Sequence, residues 1–493
     1  MRWKLSFLVL FYLGSHCLQN CVGHTELPKL LLISFDGFRW DYLDKAKSFG
    51  RHTPNFDLLI SNGVLATVKN TFITKTFPNH YTIATGLYEE NHGVIANNMY
   101  DPVFKEVFTN QPEQSYEVKW WNNGTDAWLG EPIWFANERA GLSSPLKRRS
   151  GVYFWPGSEA PIGGHHITHV KTYKSSVPLA ERMDQVVNWF QDEEAPINFG
   201  VLYYEEPDSA GHRIGPKNES IYDVIVDIDD HLGNMIKKLQ SVGLFDNINI
   251  IVTSDHGMVE IVGIKYLSDY VNTSWFEYYG SSPVLNLLPK PGRLHDVYET
   301  LKKAAGSNLH VYLKEDIPAE YHYSYNRRIQ PIVVSAPEGY DICINKSSCY
   351  TEKGNHGYNN SLTSMHPIFI GHGPAFKHGY KSASFDNVDI YPLMCALLNI
   401  EAPHNDGNMD HVKHLLVKLD NSSVTLLTYV IAIAFVATIA GVMMVAALRV
   451  QHYQRHRHHL LKTPPHMNSI FVHEQTDIEG QSHLLTSEDE EGH

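Results

Sequence analysis

The stretch Thr74-Lys75-Thr76-Phe77-Pro78-Asn79-His80 sets a hydroxyl at an expected helix start. Pro78 cannot continue a strand, but it suits the first turn of a helix. Thr76 is therefore expected where a loop becomes a helix. Unpaired backbone N–H groups and the helix dipole favour negative charge at such a point. A hydroxyl there is well placed to meet a phosphate. A threonine before a proline is also an ordinary helix cap, so the pattern alone admits both roles.

Other segments narrow the choice. The run Lys29 to Phe35 ends in Asp36-Gly37, and Asn198 to Tyr204 leads into Glu205-Glu206-Pro207-Asp208-Ser209-Ala210-Gly211-His212. Ile248 to Ser254 ends in Asp255-His256-Gly257, and Gly354-Asn355-His356-Gly357 adds a further loop histidine. Short apolar runs of this kind read as buried parallel strands. In open α/β sheets, chemistry gathers at the carboxyl ends of the strands. Each run delivers a carboxylate there. One Asp-Gly could be only a turn; several such ends beside a helix-start threonine point to a site. Mixed aspartate and histidine donors suit zinc, whereas carboxylates alone would suggest magnesium or calcium. A metal-free polar cluster is disfavoured, because unpaired buried carboxylates are costly.

The longer motifs are Ser-Phe-Asp-Gly-Phe-Arg at 34–39, Thr-Lys-Thr-Phe-Pro-Asn-His at 74–80 and Thr-Ser-Asp-His-Gly-Met at 253–258, with His92-Gly93 leading to Asn97. In these the chain resembles the nucleotide pyrophosphatase/phosphodiesterase family of the alkaline phosphatase superfamily, from about Lys29 to about Ile400. It is most similar to the short, membrane-anchored members. The resemblance implies an α/β fold: a mostly parallel sheet sandwiched by helices, with a smaller α/β insertion over 283–335. It implies two Zn2+ ions, one held by Asp36, Asp255, His256 and the Thr76 hydroxyl, the other by Asp208, His212 and His356. It makes Thr76 the nucleophile of a covalent nucleotidyl-threonine that water opens to release a monophosphate. Asn97 and the Phe77 N–H match donors to a phosphate oxygen, though a turn role for Asn97 stays open. Phe77 and Tyr173 match the aromatics that stack on a base, with an ordinary surface tyrosine as the other reading of Tyr173. One departure is that Val259 to Tyr278 lacks the cysteine pair of close relatives, so that stretch is expected to be ordered in another way.

The alternatives are a choline-type headgroup phosphodiesterase, a phosphomonoesterase and a catalytically silent receptor or adhesion ectodomain. Phe77 with Tyr173 speaks against the first. The absence of an arginine next to Thr76 speaks against the second. The complete ligand set speaks against the third.

The elements that must position these residues fit in a chain of 493 residues, 43% of them hydrophobic, which is ample for one large core. The formal charge of −14 argues against a nucleic-acid surface. Residues 1–23 read as a signal peptide, with Arg2 and Lys4 before a short apolar run. The catalytic domain is expected over 24–405 and a juxtamembrane linker over 406–423. A transmembrane helix is expected over 424–448 and a disordered cytoplasmic tail over 449–493. Arg449, Arg455, Arg457 and Lys462 follow the apolar run, and the positive-inside rule then puts the C-terminus in the cytosol. The expected location is the plasma membrane, single-pass type I, with the catalytic domain outside.

Cys343 and Cys349 flank a short loop and could pair, while Cys395 reads as a buried thiol. Sequons at Asn123, Asn218, Asn272, Asn345 and Asn421 are glycosylation candidates. A sixth, at Asn359, is crowded by nearby His356. The Trp-rich stretch 101–130 reads as a surface insertion. His165, His166 and His169, and the run 456–459, read as solvated histidines.

Overall fold

The structure, a computed structural model, describes residues 26–109, 111–122, 130–142, 146–349, 352–417 and 422–460. The expected signal peptide, the sequons Asn123 and Asn421, and the tail beyond Leu460 lie outside the described residues.

The main sheet is built on the strand Lys29–Phe35. It lies between Ile248–Thr253 on one side and Phe199–Tyr204 on the other, parallel to both. Beyond Phe199–Tyr204 come Ser150–Tyr153 and then His169–Lys171, also parallel. Beyond Ile248–Thr253 comes Ile368–His372, antiparallel to both of its neighbours, then Gly63–Lys69 and Tyr380–Lys381. The three strands that end in site carboxylates are therefore adjacent and run the same way. Ser34 pairs with Tyr203 on one side and Thr253 on the other, so the residues that follow emerge at one edge.

Side chains alternate across the central strand, as strand geometry requires. Leu30 and Leu32 enter one core, against helices Thr76–Thr85, Ile133–Ala140 and Ile390–Leu398. Leu31, Ile33 and Phe35 enter the other, against Tyr42–Ser48, Pro54–Ser61, Leu179–Phe190 and Ser220–Ser241. The expected sandwich of a mostly parallel sheet between helices is what the chain forms. The smaller insertion is a four-stranded antiparallel sheet with its own apolar core and the helix Leu294–Ala305. Its last strand starts at Ile332, after Pro331, which cannot donate to a ladder.

The described part of the Trp-rich stretch is not a surface insertion. Trp120 and Trp121 are 0% and 2% exposed and pack into the core with Phe108. Their indole N–H groups are satisfied locally, by Glu117 and by the Ser115 carbonyl, which is what lets both rings be buried. Residues expected to belong to a linker also pack: Val412 and Leu415 are fully buried. Asp389 holds this segment, accepting the Asn408 N–H at 2.7 Å and lying 3.1 Å from His411 Nδ1. The compact unit runs to Val417.

The stretch without the cysteine pair is ordered by strand pairing. Val259–Glu260 pairs with Gly354–Asn355, and Gly263–Tyr266 pairs with Tyr340–Cys343. Cys343 is disulfide-bonded to Cys349, and Cys395 is a buried free thiol.

In the second unit, the helix Ser422–Leu460 is, among the described residues, the one long and apolar enough to cross a membrane. It continues past the expected end at Leu448 through Arg449, Arg455 and Arg457. No glycine or proline interrupts that run before Pro464, and its residues tolerate a helix.

Arg328 ties the insertion to the site. It is fully buried and donates to Asp101 Oδ2 (2.9 Å) and to the carbonyls of Gly93, Trp120 and Lys119 at 2.7, 3.0 and 2.7 Å. Removing one partner of a buried pair leaves an uncompensated charge. Asp101→Ala is therefore expected to destabilise the chain by about 3–5 kcal/mol. Urea denaturation checks this; a loss under about 1 kcal/mol, the range of a surface pair, would mean that the guanidinium is not held as described.

Candidate active site

The helix that carries the threonine spans Thr76–Thr85, with Lys75 as its N-cap and no side-chain capping bond. Thr76 is its first helical residue, so its hydroxyl is not used as a cap. Oγ1 lies 3.3 Å from His256 Nε2. Backbone bonds set the carboxylates around it: the Asp208 N–H donates to the Asp36 carbonyl at 3.0 Å. Gly37, at φ +67°, permits this approach, since a Cβ there would lie 2.8 Å from Asp208 Cβ. The Gly37 N–H donates to Asp255 Oδ1 at 3.1 Å, joining the third carboxylate.

The three histidines share one arrangement. His256 Nδ1 lies 2.9 Å from the Gly257 carbonyl, His356 Nδ1 2.8 Å from the Thr74 carbonyl and His212 Nδ1 2.8 Å from the Gly354 carbonyl. A carbonyl can only accept, so each Nδ1 carries the proton and each Nε2 is free to ligate. Those Nε2 atoms face carboxylates. His256 lies 2.9 Å from Asp255 Oδ2 and 3.4 Å from Asp36 Oδ1. His356 lies 3.5 Å from Asp208 Oδ1, and His212 3.3 Å from Asp208 Oδ2. The buried atoms Asp36 Oδ1, Asp208 Oδ1 and Asp255 Oδ2 have no hydrogen-bond donor. Lone pairs that face lone pairs need a cation or protons between them, and this donor set fits a metal centre. Asp36, Asp255 and His256 form one such group; Asp208, His356 and His256 form another.

Without a cation, protons must relieve the crowding. Burial, with Asp255 and Asp208 nearby, pushes Asp36 well above the usual carboxylate range. Burial would raise Asp255 too, but His256 and His80 outweigh it and hold that carboxyl low. Burial lowers His356 well below its ordinary value, helped by His256, Lys75 and His212. At His212 burial is overcome by Asp208 and Glu352, and the imidazole is pushed up to about 10. A metal would take over from these protons, so its affinity should depend on pH.

Asn97 reaches back to the helix start, and its side-chain oxygen accepts the Phe77 N–H at 2.9 Å. The Phe77 N–H is therefore engaged by Asn97 in this structure. A cavity of about 290 Å³ adjoins the site, with Asp36, Thr76, Asn97 and Asp208 on its wall. Phe77 and the 43% exposed Tyr173 also line it, as do Phe108, Trp121, Phe154, Trp155 and Tyr203.

Several contributors carried no role in the sequence reading. Tyr203 donates its hydroxyl to Asp36 Oδ2 at 2.6 Å; its place at the end of a site strand was the available signal. His80 donates Nδ1–H to the Thr76 carbonyl at 2.9 Å and accepts the Ser34 hydroxyl at 2.8 Å, bracing the helix start. Trp121 and Phe108 had no such signal.

Among the sequons, the Asn218 and Asn272 side chains are exposed. The Asn359 amide donates to the Tyr321 hydroxyl at 2.9 Å. His165, His166 and His169 form no metal-type group among the described residues.

Comparison with known proteins agrees with this geometry. Residues 30–359 match the family model described as type I phosphodiesterase/nucleotide pyrophosphatase. The human ectonucleotide pyrophosphatase/phosphodiesterase family member 5 is 44% identical over 83% of this chain and 82% of its own. The human bis(5′-adenosyl)-triphosphatase of the same family is 44% identical over 79% of this chain and 82% of its own. The solved structure of murine member 5, an inactive threonine-to-alanine variant in complex with AMP, superposes with a TM-score of 0.73 at 42% identity. It covers 79% of this chain and all of that one. On the motifs, the fold and these matches, the chain belongs to the type I phosphodiesterase/nucleotide pyrophosphatase family.

Proposed function

We propose that the chain is a zinc-dependent, extracellular hydrolase of nucleotide phosphodiester and pyrophosphate bonds that works through a covalent nucleotidyl-threonine. The observation that carries this reading is the Thr76 hydroxyl, not used as a helix cap and set 3.3 Å from His256 Nε2, beside buried carboxylate oxygens that face imidazole Nε2 atoms and have no hydrogen-bond donor. The names of its relatives, one an adenosine polyphosphate hydrolase and one solved with AMP, favour a nucleotide.

Asp36, Asp255, His256 and the Thr76 hydroxyl would hold one zinc ion, and Asp208, His212 and His356 a second, supplying Lewis acidity that activates the hydroxyl and neutralises phosphate charge. Thr76 Oγ gives its proton to solvent and forms the bond to phosphorus, while the bond to the leaving oxygen breaks with its electron pair staying on that oxygen, which takes up a proton from solvent. The nucleotidyl group stays on the threonine until water opens the ester, restoring the hydroxyl and releasing the monophosphate. His80 and the Thr76 carbonyl keep the helix start in place meanwhile. The Asn97 side-chain oxygen is committed to Phe77, which leaves its amide N–H2 to donate to a non-bridging oxygen. Phe77 and Tyr173 offer π faces to the base.

The test is a substrate panel of dinucleoside polyphosphates, NAD, nucleoside triphosphates and glycerophosphocholine, with and without chelator. Turnover confined to the choline ester would replace this reading by the headgroup phosphodiesterase. No turnover of any substrate by zinc-replete protein would favour a silent ectodomain.

The helix Ser422–Leu460 would anchor the catalytic unit as a single-pass type I protein, its basic end in the cytosol. A chain ending at Val417 keeps the whole compact unit. It is expected to be secreted in soluble form with the full-length specific activity. Activity recovered only in membranes would contradict the proposed topology.

A further inference from the structure

A carboxylate that the proposed reaction does not use lies against one of the candidate metal ligands. Glu352 Oε2 is 2.5 Å from His212 Nδ1. The same nitrogen faces the Gly354 carbonyl at 2.8 Å. The proton on His212 Nδ1 thus has two acceptors, one of them charged. The segment that carries Glu352 is fastened to the helix Asp208–Ile214. The Lys353 N–H donates to the His212 carbonyl at 2.8 Å, and the Lys353 carbonyl accepts the Ile261 N–H at 2.9 Å. Gly354 comes so close that a Cβ on it would lie 2.6 Å from the Gly211 carbonyl oxygen. Gly354–Asn355 then pairs with Val259–Glu260. Glu352 is therefore delivered to His212 by backbone bonds on its own neighbours. Its side chain is 33% exposed, so its loss should cost the fold little.

The partner on the far nitrogen of a ligating imidazole fixes the ring and raises its basicity. A charged acceptor does this more strongly than a neutral carbonyl. At His256 and His356 that partner is a backbone carbonyl. Resting on the two-metal reading above, we infer that Glu352 is a positioning residue for the second zinc ion. It holds the His212 ring with Nε2 toward Asp208, 3.3 Å from Oδ2, and strengthens the grip of that imidazole on the ion. The second ion would have fewer protein ligands than the first, so the quality of each one counts for more.

The experiment strips zinc from the full-length chain in detergent and returns it in competition with a fluorescent zinc chelator of known affinity. Two dissociation constants are read. Glu352→Ala is expected to weaken one ion about ten- to a hundredfold, the range for loss of such an outer partner, and to leave the other unchanged. The weakened ion should be the one that His356→Ala loses. Glu352→Gln still accepts but carries no charge, and should fall between Glu352→Ala and the wild type. The zinc concentration that gives half-maximal activity should shift by the same factor as the affinity. A merely structural role would weaken both ions alike and lower the melting temperature of the zinc-free chain, which is expected to keep its wild-type value. Wild-type affinity for both ions in both variants, or equal weakening of the two, overturns the inference while the two-metal centre stands. If the wild type binds no zinc, the two-metal reading and this inference fall together.

Discussion

Thr76→Ala is expected to lower kcat on nucleotide diesters by about four orders of magnitude or more, the scale seen when a covalent nucleophile is removed. The hydroxyl lies within 3.3 Å of His256 Nε2 and is not consumed by helix capping, since Lys75 holds the cap position. The nearby hydroxyls of Ser34 and Thr74 are buried and donate to His80 and to the Tyr358 carbonyl. The fold should be unaffected, because Ala is a good helix residue and the bond from the His80 Nδ1–H to the Thr76 carbonyl survives. Nucleotide binding should survive too, with Phe77, Tyr173 and Asn97 intact. Calorimetric titration with AMP measures the binding, and stopped assays measure the rate. Thr76→Ser keeps a hydroxyl and should retain part of the activity. Near wild-type turnover by Thr76→Ala would remove the threonine from the chemistry and return it to a structural part.

The residues legible in the sequence were those whose role follows from their own segment. Asp36 and Asp255 end short apolar runs that read as buried strands, and the strand carrying Tyr203 and Tyr204 leads to Asp208. Adjacent parallel strands then deliver all three to one edge. The helix start at Thr76 was legible from Pro78 in the same way. Roles set by distant partners were not. Arg328 is buried because Asp101 and three carbonyls, more than two hundred residues away in sequence, meet it. An arginine in isolation carries no such sign. The two tryptophans looked like surface residues because polar neighbours surround them in sequence; in space Phe104 and Phe108 cover Trp120. Whether the Phe77 N–H is free depended on which way the Asn97 side chain turned, twenty residues away, and no local pattern encodes that.

Asp255→Ala and His356→Ala should both abolish activity in metal-limited medium, yet differ in what restores it. His356 contributes a neutral imidazole, and its Nδ1–H bonds only the Thr74 carbonyl. Its loss leaves Asp208 and His212 in place, joined at 3.3 Å. Excess zinc should therefore refill that position in part, and activity should rise with added metal. Asp255 does more. Oδ1 accepts from the Gly37 N–H and from the Ser254 hydroxyl, so it joins the turn that carries Asp36 to the third site strand. Oδ2 faces His256 and His80. Alanine removes a metal ligand, a negative charge and the joint between two strand ends together. Added zinc should not restore that variant, and its denaturation midpoint should fall with its metal content. Elemental analysis reads the outcome without reference to activity. The wild type is expected to hold a pair of zinc ions per chain. His356→Ala should lose the more weakly bound ion and Asp255→Ala retain little of either. Wild-type zinc content in both variants, or full wild-type activity after exhaustive chelation, would show that the facing carboxylates and imidazoles are compensated by protons alone and that the metal centre proposed here does not exist.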